Sequence, residues 1–373
     1  MLPNLRTLVI LVGLFAVIGC GRSSNPEPIY IGHLAPFTGP DKDIGEHAKQ
    51  AIALALDKVN SDGGIAGRPV RVIHPSFPDN LNELVPVTVR LITVNHIVAL
   101  LGGTNGNQAE RIGRAAQPYE VALVTPAELP PDGLGENVFS VNAGLAAQGL
   151  ALAQFVKQDL KDVDRVAVLV DSRQSPSTTV AAVFSKELAR ANNYRVSEWT
   201  FKSGSDLSDL VERAKNFQPK ALLHAGSVAD LGLLKGKLQA AGLKTHVLYG
   251  GEMEHLTTLA ADREASNGVY AASPFVPDAN NEFVKKYQER FHQEPDLHAA
   301  LAYDGLRVLC EAMGRVQILQ PGKIRLALAE GNEKPFEKAG GLTFDRSHAA
   351  RRPLFVGRLE DGKLTNPKRF DPQ

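Results

Sequence analysis

The chain has 373 residues, of which 43% are hydrophobic, and its 41 basic and 41 acidic side chains cancel. This length and composition suit two domains of about 150 residues, each with a buried core, and argue against a disordered chain. No basic stripe or charged tail is present, so a nucleic-acid partner is not expected.

The first residues have the layout of an export signal. Arg6 precedes thirteen uncharged residues, 7–19, which are followed by Cys20 and a polar stretch. Thirteen residues span about 20 Å as a helix, short of the roughly 30 Å hydrocarbon core, so a permanent transmembrane helix is disfavoured. The segment Val17-Ile18-Gly19-Cys20 resembles a bacterial lipobox. That resemblance implies a lipoprotein signal peptide over 1–19, lipidation of Cys20 and a tether over 20–28. An ordinary secretory signal with an incidental cysteine is the alternative.

The first half of the chain alternates strand-like and helix-like segments. Predicted strands lie at 29–34, 70–73, 97–101 and 121–124, with helices near 48–59, 82–94 and 108–118 between them. In the first helix, apolar residues recur at spacings of three and four, and Gly63 and Gly64 supply the positive φ that ends it. The strands are short and apolar throughout, which is typical of a parallel sheet covered on both faces by helices.

The second half repeats this alternation. Predicted strands lie at 165–170, 195–199, 221–224, 245–248 and 268–271, with helices near 146–160, 178–192, 207–216 and 229–241. The last third has two helical stretches, near 282–291 and 297–316, and ends in a strand-and-turn pattern. Two similar α/β halves followed by such a tail predict that the chain crosses between two lobes more than once.

Cys310 is the only cysteine after Cys20, so the mature chain cannot form an internal disulfide. It lies in an apolar, helical-looking stretch, where a free cysteine usually behaves as a small buried hydrophobe. We expect Cys310 to be a buried thiol without a chemical role.

Several motifs occur in a fixed order along the chain. They include Ile31-Gly32-His33-Leu34-Ala35-Pro36-Phe37-Thr38-Gly39-Pro40, Leu101-Gly102-Gly103-Thr104, Tyr303-Asp304-Gly305-Leu306 and Gly340-Gly341-Leu342-Thr343-Phe344-Asp345. Together they closely resemble type I periplasmic binding proteins, especially the leucine/isoleucine/valine-binding branch. The resemblance implies an α/β fold of two Rossmann-like lobes with parallel central sheets, joined by three hinge crossings around a ligand cleft.

The same resemblance gives the bounds of the two lobes and an expected role for two residues of the Tyr303-Asp304-Gly305-Leu306 motif. Lobe 1 comprises 29–141 plus 273–340, and lobe 2 comprises 142–272 plus 341–373. Tyr303 and Asp304 are expected to support the hinge or the core rather than to contact a ligand.

Ligands of open parallel sheets bind beyond the carboxyl ends of the strands, which singles out the loops of the first half. Gly103, Thr104 and Asn105 follow one strand and resemble the loop that holds a ligand carboxylate, although Thr104 or Asn105 is equally suited to capping the next helix. Ala127 and Glu128 follow the next strand. Glu128 stands near the place of a Ser or Thr in amino-acid-binding relatives, which weakens the carboxylate clamp, and an exposed loop carboxylate is the alternative.

In the second half, Ser175 and Ser227 stand where the family often has aromatic residues, as does Ile44 in the first, so the cleft is expected to be more polar or larger. Glu252 aligns with the acidic residue that holds an ammonium in amino-acid-binding relatives. A solvated turn carboxylate is the alternative.

Catalytic and metal sites are not expected. The chain has no G-x-S-x-G elbow, no H-E-x-x-H pattern and no phosphate loop, and Glu252, Glu254 and His255 match no metalloprotease spacing. We therefore expect no catalytic residue, metal or cofactor.

Taken together, the motifs predict a lipid-anchored solute-binding protein of an ABC importer, exported and facing the periplasm or the cell exterior. It would bind a branched-chain-type amino acid or a related amide by hinge closure and deliver it to separate permease and ATPase chains. Peptides, urea-like amides and aromatic acids stay open as ligands. The alternatives are a ligand-sensing subunit for a membrane partner and, less favoured, a hydrolase on the same scaffold.

Overall fold

Two separate sheets organise the chain. The computed structural model describes residues 26–75 and 81–372, so the predicted signal peptide, the lipidation site Cys20 and most of the tether lie outside the described residues. Within the described part, no helix combines the length and the apolar character needed to cross a bilayer.

The first sheet is wholly parallel. Its strands are β1 (Ile29–Leu34), β2 (Val70–Ile73), β3 (Ala99–Gly102), β4 (Ala122–Thr125) and β5 (Val138–Ser140), in the order β2-β1-β3-β4-β5. The helices that connect its strands are α1 (Lys42–Ser61), α2 (Leu84–Thr93) and α3 (Gly106–Ala116). β3, β4 and β5 are buried along their whole length, as the apolar runs predict.

The second sheet begins after the chain leaves β5. Its elements in chain order are α4 (Leu145–Gln158), β6 (Arg165–Asp171), α5 (Ser175–Ala189), β7 (Arg195–Phe201), α6 (Ser208–Phe217), β8 (Ala221–Ala225), α7 (Val228–Ala240), β9 (His246–Tyr249), α8 (Leu256–Ala261), α9 (Arg263–Ser266) and β10 (Tyr270–Ser273). Strands β6 to β10 pair in parallel. The prediction of two α/β lobes with parallel central sheets is confirmed.

The chain then returns to the first sheet and crosses once more. The returning helices are α10 (Glu282–Phe291), α11 (Leu297–Gly314) and α12 (Pro321–Ala329), followed by β11 (Thr343–Phe344), β12 (Ala350–Arg351), β13 (Leu354–Glu360) and β14 (Lys363–Phe370). α11 packs against α1 and carries Cys310, which is buried as predicted. Burial raises the pKa of the Cys310 thiol to about 12.

The edge of the second sheet is antiparallel, which the apolar pattern does not predict. β13 pairs antiparallel with β10 and with β14. Asp361 and Gly362, with φ of 50° and 78°, form the two-residue turn between β13 and β14. Two consecutive positive φ angles match the twist of a hairpin, and Asp-Gly is a preferred pair there.

The short hairpin of β11 and β12 lies beside the first sheet. Ser140 N–H donates to the His348 carbonyl at 2.8 Å, and the rings of Phe139 and Phe344 lie 5.5 Å apart. The sequence assignment placed residues 341–373 in the second lobe. In the structure the β11–β12 hairpin contacts β5 of the first sheet. The chain crosses to the second sheet only after β12, at residues 352–353, and not at Gly340-Gly341.

Arg352 joins the three segments that connect the lobes, which are 141–144, 274–281 and 352–353. Its Nη1 donates to the Val141 carbonyl at 2.8 Å and to Asp304 Oδ2 at 3.2 Å, and its Nη2 donates to the Pro274 carbonyl at 3.3 Å. Burial raises the pKa of Asp304, and the charge of Arg352 opposes that shift. One guanidinium therefore ties all three crossings together, and Asp304 supports the hinge.

Replacing Arg352 by methionine keeps an aliphatic side chain but removes the donors to both carbonyls and the charge facing Asp304. We expect the free energy of unfolding to fall by about 2–4 kcal/mol, because buried acceptors lose their partner. Chemical denaturation measures this change. Arg351→Met, at the exposed neighbouring position, is the control and should change the value by less than about 0.5 kcal/mol. Equal destabilisation by the two variants would contradict the role given to Arg352.

Candidate functional site

A cavity of about 720 Å³ lies between the two lobes. Its lining comes from segments that follow β3 and β4 of the first sheet and β6, β8 and β9 of the second. Ligands of open α/β sheets bind beyond the carboxyl ends of the strands, and sites for small molecules commonly enclose about 300–1,000 Å³. The cavity therefore has the position and the volume of a small-molecule site.

Three of the residues singled out in the sequence line this cavity, namely Glu128, Ser227 and Glu252. Ser175 begins α5, but its side chain lies outside the described part of the structure. Its neighbours Gln174 and Pro176 line the cavity.

The loop after β3 has its polar groups occupied within the loop itself. The N–H and the hydroxyl of Thr104 both donate to Gln108 Oε1, at 2.9 and 3.0 Å, and Asn105 Oδ1 accepts from the Gln108 N–H at 3.0 Å. Asn105 is the N-cap of α3, which is the capping alternative. Thr104 lines a separate, much smaller cavity of about 20 Å³. A ligand carboxylate would have to displace the Gln108 side chain to reach Thr104.

Gly103 and Ala127 also have internal partners. The Thr125 hydroxyl donates to the Gly103 carbonyl at 2.6 Å and accepts from the Ala127 N–H at 3.1 Å. The Ser140 hydroxyl donates to the Ala127 carbonyl at 2.6 Å. Neither residue lines the large cavity, so the backbone of the β3 and β4 loops is braced against itself rather than presented to a ligand.

Ser227 caps α7 at the wall of the cavity. Its hydroxyl accepts from the Asp230 N–H at 3.1 Å and donates to Asp230 Oδ2 at 2.6 Å. Asp230 also accepts from the Gly204 N–H at 3.0 Å. The Ser227 hydroxyl is therefore held by Asp230 at this wall of the cavity.

Carboxyl groups from the two lobes lie close together, and two of them, Glu128 and Glu252, line the cavity. Glu128 is 3% exposed, so its alternative assignment as an exposed loop carboxylate is wrong. Its Oε2 accepts a hydrogen bond from the Met253 N–H, and its own N–H donates to Glu254 Oε2 at 3.3 Å. Glu254 is 4% exposed, and Glu252 is half-buried beside it. We call Glu128, Glu252 and Glu254 the carboxylate cluster.

Among the described residues, no cationic side chain forms an ion pair with the carboxyl groups of the cluster. Burial raises the pKa of Glu128 and of Glu254 well above the usual range, and the charge of Glu252 adds to both shifts. Glu128 Oε1, Glu254 Oε1 and the Tyr249 hydroxyl are buried without a hydrogen-bond partner. A buried polar atom left unpaired is costly, and the raised pKa values of Glu128 and Glu254 favour the neutral form of both carboxyl groups.

Tyr249 and Glu254 are the site residues that the sequence did not single out for ligand binding. Tyr249 ends β9, and its hydroxyl lies against the backbone of Gly251, where an added Cβ would come within 2.3 Å of it. Glu254 lies two residues after Glu252, in the 3-10 turn Met253–His255. The sequence does show two acidic residues, Glu252 and Glu254, shortly after a strand. It does not show that Glu128, from the other lobe, lies next to them.

Metal-binding geometry is not found among residues 26–75 and 81–372. No group of three or more His, Cys, Asp or Glu side chains there could hold a metal ion.

Known proteins resemble this chain over nearly its whole length. The Leu/Ile/Val-binding protein homolog 7 of Brucella melitensis is 24% identical over 377 residues, which cover 94% of this chain and 93% of the relative. A branched-chain amino acid transporter substrate-binding protein of Streptococcus pneumoniae, solved with isoleucine, superposes with a TM-score of 0.73 at 22% identity and covers 93% of this chain and 100% of its own. A solute-binding protein of Rhodopseudomonas palustris, solved with 3,4-dihydroxybenzoic acid, gives 0.72 at 20%, with coverage of 92% and 98%.

These relatives are binding proteins rather than enzymes, in agreement with the prediction of a non-catalytic chain. The model of the family described as periplasmic binding protein matches residues 28–363, and the chain therefore belongs to the periplasmic binding protein family.

Proposed function

We propose that the protein is the solute-binding component of an ABC importer, which closes its two lobes around a small polar ligand. The observation that carries this proposal is the 720 Å³ cavity, which is lined by loops of both sheets and lies between two lobes joined by three chain crossings. A ligand that contacts both walls binds the closed form better than the open form, and that difference drives closure. The closed protein would then be recognised by separate permease and ATPase chains.

The proposed ligand is an amino acid or a related amide. Two observations support this class: the name of the Brucella relative refers to leucine, isoleucine and valine, and Glu252 presents a half-buried carboxylate that can accept from an ammonium. The aromatic acid in the Rhodopseudomonas structure leaves acids as competitors. Membership of the periplasmic binding protein family supports export. Lipidation at Cys20 is supported only by the resemblance of residues 17–20 to a lipobox.

A thermal-shift screen of amino acids and amides tests the binding function. A ligand at about 100 times its dissociation constant should stabilise the protein by roughly 2.7 kcal/mol. Glu252→Ala should abolish the shift if Glu252 holds the ammonium, whereas an equal shift in that variant would remove this role. If no amino acid or amide shifts the melting temperature of the wild type, the proposed ligand class is wrong.

Gln108→Ala tests whether the loop after β3 can hold a ligand carboxylate. The variant frees the N–H and the hydroxyl of Thr104, so we expect carboxylate ligands to bind about 3- to 10-fold more tightly, the effect of one to two hydrogen bonds. Calorimetric titration measures this change. Arg111→Ala, at an exposed position of the same helix that lines neither cavity, is the control and should leave affinity unchanged. An unchanged affinity in Gln108→Ala would mean that the carboxylate does not reach Thr104.

Cys20→Ser tests the proposed lipid anchor. Acyl chains contribute about 0.8 kcal/mol for each buried methylene, so the wild type should remain with membranes after fractionation and the variant should not. Cys310→Ser, at the buried thiol, is the matched control and should stay with the membranes. Retention of the Cys20→Ser variant would contradict the lipobox interpretation.

A further inference from the structure

Positive charge in the cavity between the lobes comes from the loop after β6. Among the described residues that line this cavity, Arg173 is the one arginine or lysine, and His255 is the only other basic side chain. An arginine side chain stays protonated in proteins, and its guanidinium carries five N–H donors. Arg173 therefore supplies a permanent cation to a cavity whose described first-lobe lining contains no basic residue.

Groups of the second lobe hold part of this guanidinium in place. Its Nη2 donates to the Ser203 carbonyl at 2.5 Å, and its Nε lies 3.9 Å from Asp171 Oδ1. The same oxygen of the buried Asp171 accepts from the Arg173 N–H at 3.1 Å, which fixes the backbone of the loop. The Nη1 group has no hydrogen-bond partner among the described residues, and the side chain is 56% exposed. Arg173 is thus anchored and accessible, with donors to spare.

Acidic side chains of the protein leave the donors of Arg173 available. Asp171 lies near Nε, but 3.9 Å is beyond hydrogen-bond distance. Glu110, which lines the cavity from the first lobe, pairs with Arg114 on its own helix. Burial raises the pKa of Glu128, which favours its neutral form. Within the described residues, no carboxylate therefore accepts a hydrogen bond from the guanidinium of Arg173.

Arg173 and Glu252 place opposite charges on the same wall of the cavity. Arg173 follows β6, Glu252 follows β9, and β8 lies between these strands in the sheet. Neighbouring strands are about 4.8 Å apart, so the two loops begin about 10 Å from each other. An amino acid that bonds a carboxylate through its ammonium and a guanidinium through its carboxylate spans about 9 Å, including two hydrogen bonds of about 2.8 Å. The wall therefore has the polarity and the spacing for a zwitterion.

A carboxylate suits Arg173 better than an amide or a phosphate does. Guanidinium and carboxylate form two parallel charge-assisted hydrogen bonds. A carboxamide has one acceptor oxygen, and its NH₂ group would direct donors at the donors of the guanidinium. A phosphate dianion would be repelled by Glu252, which lines the same cavity. The charges of this wall therefore favour a ligand with one carboxylate.

We propose that Arg173 is the residue that recognises the ligand carboxylate, and that the ligand is a zwitterionic amino acid rather than an amide. This inference rests on the proposed function, because it requires a ligand in the cavity between the lobes. It assigns the carboxylate to the second lobe, since Gln108 occupies the donors of Thr104 in the first. Removing Gln108 would add a first-lobe partner to the same carboxylate without replacing Arg173.

Calorimetric titration of the purified protein with L-leucine, L-isoleucine and L-valine, each beside its carboxamide, tests this role. At least one amino acid should bind about tenfold or more tightly than its amide. Arg173→Gln should weaken binding of that amino acid by about tenfold or more, the effect of hydrogen bonds to a charged group, and change amide affinity by less than about threefold. Arg173→Lys keeps the charge without the fork and should give an intermediate affinity. Melting temperatures of the ligand-free variants verify that they fold.

Arg213→Gln is the matched control. Arg213 lies on α6 of the same lobe, its side chain is 54% exposed, and it pairs with Asp209 at 2.9 Å, but it does not line the cavity. This variant removes the same charge and should change amino-acid affinity by less than about threefold, because exposed ion pairs contribute little. An equal loss in Arg213→Gln would reduce the effect to the general field of the lobe and would overturn the role of Arg173.

The failures of the two proposals are distinguishable. If the amides bind as tightly as the amino acids, or if Arg173→Gln weakens both equally, the carboxylate role is overturned while the solute-binding function stands. Binding of 3,4-dihydroxybenzoate without binding of any amino acid would likewise overturn the zwitterionic ligand and leave solute binding intact. If no probe binds, and the thermal-shift screen is also negative, the amino-acid ligand class and the role of Arg173 fall together.

Discussion

The guanidinium of Arg352 is the point at which all three connections between the lobes meet. It donates to carbonyls on the first and second crossings while belonging to the third, and it faces the half-buried carboxylate of Asp304. Every connection between the sheets meets at this group, which therefore holds the three crossings together. The loops after β4 and β9 line the cavity from opposite lobes.

The acidic residues at the hinge and at the contact between the lobes have different partners. Arg352 lies 3.2 Å from Asp304, whereas Glu128 and Glu254 accept from backbone N–H groups and their charged neighbours are other carboxyl groups. Ionised carboxylates are expensive to bury without a partner, so the cation beside Asp304 favours a stable hinge, whereas burial favours the protonated forms of Glu128 and Glu254 at the contact between the lobes. A hinge should not depend on what the cleft contains, whereas the contact across the cleft should.

Much of the fold was accessible from the sequence because apolar runs and three-to-four spacing are local signals. The parallel strands, α1 and the closing strand-and-turn pattern all follow from neighbours within a few residues. The site was accessible only in part. Glu128 was placed at the cleft, but its burial depends on Met253, 125 residues later. Arg352 has partners 48, 78 and 211 residues away and no motif of its own. The hydrogen bonds from Thr104 to Gln108 join residues only four positions apart. They depend on the rotamer of the Gln108 side chain, which no sequence pattern specifies.

The third crossing consists of Arg352 and Pro353 alone, whereas the second runs over residues 274–281. Proline fixes its own φ and restricts the residue before it, so this short connection is stiff as well as brief. The two connections therefore differ in their tolerance of changes in length during evolution. Extra residues in the second can loop outward without moving its ends, but a single insertion between β12 and β13 would shift Arg352 away from both carbonyls. Family members should accordingly vary in length at the second connection and keep the third constant.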